Sequence, residues 1–188
     1  MSEPSPQYYL NKYHEQIVRA TKLSWQECVE YAYVKPMSGQ AFEVRGNRDE
    51  SPIPGESLYR AQFLFHTHPY HACYEGSSDQ PYFKYIETQI GGGFSYSDVA
   101  TAHKSNIGIM IVGTFVNDRT AVLRGYSPLT LREEIYDRYF ILFPDCEYSW
   151  QSNKDSQCPY TKRKLTMDTN KLKKYMDEYM PILETIKI

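Results

Sequence analysis

Residues 107–116, Ile-Gly-Ile-Met-Ile-Val-Gly-Thr-Phe-Val, carry no charge, and they constrain the fold more than any other stretch of the chain. The run is far short of the roughly 18 apolar residues that a membrane span needs. Its β-branched and aromatic side chains favour a strand, and apolar residues at successive positions suit a strand buried on both faces. It is therefore predicted as a central strand. Asn117-Asp118-Arg119 makes a hairpin turn behind it, with a return strand over 120–125. Upstream, alternating or apolar stretches predict strands near 28–34, 40–45 and 60–68. In the first of these, Cys28, Glu30, Ala32 and Val34 would share one face, because side chains alternate along a strand.

Helical spacing of Tyr13, Ile17 and Val18 predicts an amphipathic helix over 9–20. Ser24-Trp25-Gln26-Glu27 has capping-box spacing and would start a further turn of helix. Ser95 would cap a helix running to about Lys104, and Thr130, with Glu133 after it, another that passes Ile135 and Tyr139 and stops at Pro144. A last helix is predicted over 170–185, with Leu172, Tyr175, Met176, Tyr179 and Met180 as its core-facing stripe. Residues 1–8, with Pro4 and Pro6, read as a disordered tip, and 145–166 as a polar, weakly patterned stretch. Segment 69–93 reads as a long loop whose Gly91-Gly92-Gly93 would allow a hinge.

The fold class that follows is α/β: a mixed, mostly antiparallel, curved β-sheet flanked by helices. Residues 1–23 form an N-terminal tip and helix, 24–128 the core with an inserted loop over 70–93, and 129–188 a helical extension packed on that core.

A chain of 188 residues is long enough for one domain with its own core. Its net charge of −2 leaves no basic footprint for nucleic acid. The N-terminal Met-Ser-Glu-Pro-Ser-Pro-Gln lacks the basic and apolar regions of a signal peptide, and no stretch is apolar enough for a membrane span. A cytoplasmic protein or a delivered effector is expected. The 18 tyrosines suit a half-wet binding surface or, more commonly, a core closed by amphipathic rings. Cys28, Cys73, Cys146 and Cys158 contain no CxxC pair, which argues against a cysteine zinc knuckle. Cys146 and Cys158 flank a polar loop and would pair in an oxidising compartment; free thiols are the expected state.

Chemistry concentrates in His66-Thr67-His68-Pro69 and Phe94-Ser95-Tyr96-Ser97-Asp98. Two histidines one residue apart at the end of a strand emerge on the same face. With a carboxylate they make a three-ligand set that can hold zinc and leave a fourth position for water. Each half also has an ordinary explanation. Histidines at a strand end bond backbone or water, and Ser-x-x-Asp is what a helix N-terminus favours.

In their order along the chain these features resemble the JAB/MPN family, whose zinc-dependent members carry the JAMM motif: an upstream glutamate, H-[ST]-H-P and S-x-x-D. The chain is most similar to the toxin-associated JAB-like subgroup, found at the ends of large bacterial toxin polypeptides. There a Glu-Tyr strand, His-Thr-His, Phe-Ser-x-x-Asp and a late Tyr-x-Pro recur, here with Glu30-Tyr31 and Tyr126-Ser127-Pro128. The likeness covers 24–128 and implies a JAB/MPN, cytidine-deaminase-like arrangement. It implies Zn2+ held by His66, His68 and Asp98, with Ser95 helping to bind the polarised carbonyl oxygen and Glu30 as the acid/base. The implied activity is hydrolysis of peptide or isopeptide bonds, on a protein or peptide partner of ubiquitin-like kind and not on nucleic acid or membrane. The setting would be a bacterial toxin, effector or deubiquitinase-like protein.

The residues themselves point to Glu30 as well: a carboxylate on the apolar-leaning face of its strand is costly without a partner. Glu27, readable as a capping-box residue, and Glu43, readable as solvated, are the alternatives. The 29 residues between His68 and Asp98 exceed the family's common spacing, but loop-closure entropy grows slowly enough to tolerate them. His71 and Asp79 lie within that insertion as competing ligands, and the insertion itself is a candidate substrate lid. His103 is poorly spaced from Asp98 to share a ligating helix face, and His14 has no motif around it. Rival readings are a non-catalytic MPN-like binding scaffold, another metal hydrolase acting on phosphoesters or cyclic amides, and a toxin-like domain with a non-protein substrate.

Overall fold

The structure, a computed structural model, describes residues 4–74, 90–132, 134, 135 and 169–188. Ser5 and Pro6, read above as part of a disordered tip, start a helix. Ser5 Oγ accepts from the Tyr8 N–H at 3.2 Å, and Pro6 opens the first turn, where a missing N–H costs nothing. This helix, α1 (Pro6–Lys12), ends at Tyr13, and α2 (His14–Glu27) follows. Because α2 runs straight through Ser24, which is buried, Ser24 is no N-cap and Glu27 is not a capping-box residue. The helix stops on Cys28, whose φ of 54° is left-handed. Strand β1 is accordingly Tyr31–Lys35, not 28–34. Cys28 is the helix cap, and Glu30 stands just before the strand.

Next come β2 (Phe42–Arg45), the one-turn α3 (Gly55–Leu58), β3 (Phe63–His68) and a 3₁₀ turn at His71–Tyr74. Then α4 (Tyr96–Lys104) leads to β4 (Ile109–Asn117) and β5 (Thr120–Tyr126). Of the helix expected from Thr130, the first turn is described: Leu131 N–H donates to Ser127 and Ile135 N–H to Leu131. Glu133, Tyr139, the rest of that helix, residues 145–166, Cys146 and Cys158 lie outside the described residues.

The helix predicted over 170–185 ends early. α5 (Thr169–Tyr179) gives way at Pro181, which has no N–H to continue it, and Ile-Leu-Glu-Thr-Ile-Lys forms β6 (Ile182–Lys187) instead. The C-terminal segment is therefore not purely helical: it supplies an edge of the sheet.

The six strands run in the order β2-β1-β3-β4-β5-β6. Neighbours are antiparallel except β3 and β4, which are parallel. This is the mixed, mostly antiparallel α/β sheet that the sequence predicts, and β4 lies inside it. Both faces are covered. On one, Tyr9, Leu10, Ile17 and Ala20 of α1 and α2 pack on Tyr31, Phe63, Phe65, Ile111 and Leu123. On the other, Val99 and Ala102 of α4 and Leu172 and Met176 of α5 pack on Ala32, Val34, Leu64, Met110 and Val112. Strand β4 is consequently buried from Ile109 through Phe115.

In the triple glycine expected to allow a hinge, Gly92 and Gly93 are buried. Gly92 has φ +79°, and a Cβ there would overlap Thr114 Oγ1 and Val122 Cγ2. Its missing side chain lets the chain lie flat on β4 and β5 on its way to α4.

Candidate metal centre

Alternation along β3 sends His66 and His68 to the α4 face of the sheet and Thr67 to the α2 face. Thr67 Oγ1 accepts from the Tyr31 N–H at 2.8 Å and donates to the Tyr31 carbonyl at 3.4 Å, fastening β3 to the start of β1. The register pairs Ala32 with His66. Glu30, two positions before Ala32 and just outside the paired strand, shares the alternation of that face. On the other side, Thr114 of β4 pairs with His68.

The third member comes from α4. Ser95 Oγ accepts from the Asp98 N–H at 3.1 Å, and Asp98 Oδ2 accepts from the Ser95 N–H at 2.6 Å, a reciprocal capping box. That box aims the carboxylate at the histidines. Asp98 Oδ1 lies 3.0 Å from His66 Nε2, Oδ2 lies 3.1 Å from His68 Nε2, and the two Nε2 atoms are 3.0 Å apart. Helix capping and ligand presentation, rival explanations of Ser-x-x-Asp, are one geometry here.

The side chains of His66, His68 and Asp98 are only 8%, 4% and 14% exposed, so the cluster touches solvent at its edge. Burial would raise the Asp98 carboxyl, yet the charges and hydrogen bonds of His66 and His68 hold it well below the usual carboxylate range. Neutral imidazoles place at most one proton each on Nε2, and all three contacts draw on those same two atoms. A cation bonded at about 2.0–2.2 Å to each atom would satisfy the three donors together. The residues fit a divalent metal ion, and they are the group the described structure offers for one. Two imidazoles and a carboxylate suit several divalent transition metals.

Glu30 is 8% exposed. Its N–H donates to Asn47 at 2.7 Å, its carbonyl accepts from Gly46 at 2.8 Å, and Ser51 Oγ donates to its Oε2 at 3.4 Å. The alternative glutamates lie on the far side of the sheet. Glu27 accepts from Arg45 Nε at 2.8 Å and Tyr31 Oη at 2.9 Å, and these bonds, Arg45 first, lower its pKa. Glu43, across from Tyr33, pairs with Arg19 at 2.6 Å rather than standing solvated.

Neither His14 nor His103 joins the cluster. His14 is exposed and meets Glu184 at 3.0 Å. His103 is buried in α4 against Tyr126, 6.2 Å between rings, and burial, with Arg132 adding, pushes its pKa down to about 4. His71 falls in the 3₁₀ turn, and Asp79 lies outside the described residues.

Three features near the cluster were not assigned a role from the residues alone. Thr114 Oγ1 and Tyr126 Oη are buried without a hydrogen-bond partner among the described residues. Burial, followed by the negative charge of Asp98, pushes the Tyr126 phenol well up, so it stays protonated. Cys28 and Cys73 form a disulfide at the rim, a pairing the attention to Cys146 and Cys158 overlooked. Cys28 opens the predicted strand 28–34 and Cys73 follows the predicted strand 60–68, but without the strand pairing neither position marks the bond. Compared with known protein families, curated proteins and solved structures, the chain matches none.

Proposed function

We propose that this chain is a zinc-dependent hydrolase of peptide or isopeptide bonds. One observation carries the reading: His66, His68 and Asp98 converge within 3.0–3.1 Å in a nearly buried group, and the buried Glu30 leads into the strand that pairs with that of the two histidines. The resemblance to JAMM-type JAB/MPN domains supports the same set of residues. Zinc held by the three ligands would lower the pKa of water from about 15.7 towards 7 and polarise a carbonyl. Glu30 would serve through its carboxylate as the base toward water and the acid toward the leaving amine. Ser95 Oγ already accepts the Asp98 N–H, so its own proton is available to donate to the developing oxyanion. The half-buried Cys28–Cys73 disulfide favours a delivered effector over lasting residence in a reducing cytosol.

The test is metal content and turnover on the full chain. Protein purified without added metal should carry one zinc per chain, and His68→Ala should lose it. Glu30→Gln should keep the zinc and lose turnover on a panel of linear and isopeptide-linked substrates. Zinc with no hydrolysis of any peptide or isopeptide would reject the hydrolase, and absence of zinc would favour the non-catalytic binding scaffold.

A further inference from the structure

Three chain segments meet at the rim beside Glu30. Cys28 caps α2 two residues before it, Gly46 and Asn47 hold its backbone, and the turn that leaves His68 brings up Cys73. Arg48 Nη1 also donates to the Cys73 carbonyl at 3.4 Å. Among the described residues the one cross-link is here, joining Cys28 to Cys73.

The elements on either side do not need this bond to stay in place. α2 is anchored by buried Ile17, Ala20 and Thr21, and β3 is paired along both edges. Glu30 is different, since it precedes β1 and follows a left-handed cap. Its backbone bonds to Gly46 and Asn47, and the Cys28 sulfur, two residues earlier, adds a pin on its approach. That pin is fixed to the segment leaving the ligand strand.

We propose that the Cys28–Cys73 disulfide is a thiol-sensitive positioning element of the site. Intact, it holds the approach to Glu30 beside the end of the ligand strand; opened, it loosens Glu30 and leaves His66, His68 and Asp98 assembled. The proposal rests on the reading of Glu30 as the acid/base. Both cysteines are half-buried rather than sealed in the core. Opening proceeds by exchange. One glutathione thiolate attacks a protein sulfur to form a mixed disulfide, and a second thiolate displaces the protein thiolate from it. The two glutathiones supply two electrons and two protons, leaving two cysteine thiols and glutathione disulfide.

The test compares full-length, zinc-loaded protein purified without reductant, the same protein equilibrated with reduced glutathione, and the Cys28→Ser/Cys73→Ser variant. Mass spectrometry after alkylation reads the bond, hydrogen exchange reads the backbone, and zinc content, kcat and KM are measured alongside. On opening, exchange of the Glu30 and Gly46 amides should rise about tenfold while 63–68 is unchanged. Zinc should stay bound, KM should hold, and kcat should fall ten- to about a hundredfold. Glutathione disulfide should restore the wild type. The proposal is overturned if no Cys28–Cys73 bond is found in the unreduced protein, or if opening it changes neither exchange nor kcat. Loss of zinc together with faster exchange throughout 63–68 also overturns it, by showing a staple of the whole fold. If neither redox state hydrolyses any substrate, the hydrolase reading fails, while exchange and zinc still decide whether the bond positions Glu30.

Discussion

His103 shows how a histidine can belong to the interior without belonging to the site. It is 3% exposed, packed on Tyr126, and burial brings its pKa down to about 4 from an ordinary value near 6.5. The folded state therefore binds fewer protons there than the unfolded state between those two values. Stability contributed by the neutral ring is complete above pH 6.5 and is lost as pH falls through about 4. The slope should approach about 1.4 kcal/mol per pH unit within that window. Urea denaturation from pH 7 to 4, with chelator present, should show a His103→Gln variant with a slope shallower by one proton. Equal slopes would mean that His103 is protonated in the fold. Sequence alone could set His103 aside on spacing, and it could pair His66 with His68, because both judgements are local. Alternation along the strand favoured Glu30 over Glu27 and Glu43, whereas the surroundings of the other two depend on distant residues: Glu43 lies across from Tyr33 and pairs with Arg19, and Glu27 meets Arg45.

At the scale of elements, errors arose where one short motif served two structures. Ser24-x-x-Glu27 has the spacing of a helix start, but a helix already under way can contain it, and α2 does. Ser5-Pro6 was the true start, hidden among residues that also suit disorder. Pro181 was a visible stop that the helical spacing of the residues before it outweighed. The glycines before α4 were ambiguous in the same way, since a hinge and a close approach call for the same residue. Substitution separates the two. Gly92→Ala must hold φ +79° and also press on Thr114 and Val122, packed inside the sheet face. It should cost about 2–4 kcal/mol, from left-handed strain plus overpacking. Gly91→Ala has φ +76° but meets nothing nearer than 3.6 Å, so it should cost only about 1–2 kcal/mol. Chemical denaturation of both variants checks the difference. Similar, small losses would return the hinge reading.

For the whole molecule, the apolar runs and their alternation announced a mixed sheet covered on both faces, because burial imprints itself on neighbouring residues. Pairing order, the Cys28–Cys73 bond and the edge strand β6 were not legible, because each depends on residues far apart in the chain. The same holds for the contact that joins the most distant parts. Arg124, charged and within the predicted return strand, is 0% exposed on the α4–α5 face. Its guanidinium donates to the Met180 carbonyl at 3.0 Å and to those of Ile90 and Gly91 at 3.4 Å, and it meets Asp177 at 2.7 Å. One side chain thus ties β5 to the approach to α4 and to the junction of α5 with β6. Removing it strands buried carbonyls, whereas removing its anionic partner does not, since the Asp177 side chain is 43% exposed and can turn to water. Arg124→Met should therefore lose about 3 kcal/mol or more, and Asp177→Asn about 1 kcal/mol or less. Urea unfolding of the two variants at neutral pH decides the matter. Equal losses would make Arg124–Asp177 a simple ion pair, and an unchanged Arg124→Met would mean that the C-terminal helix and strand are held by apolar packing alone.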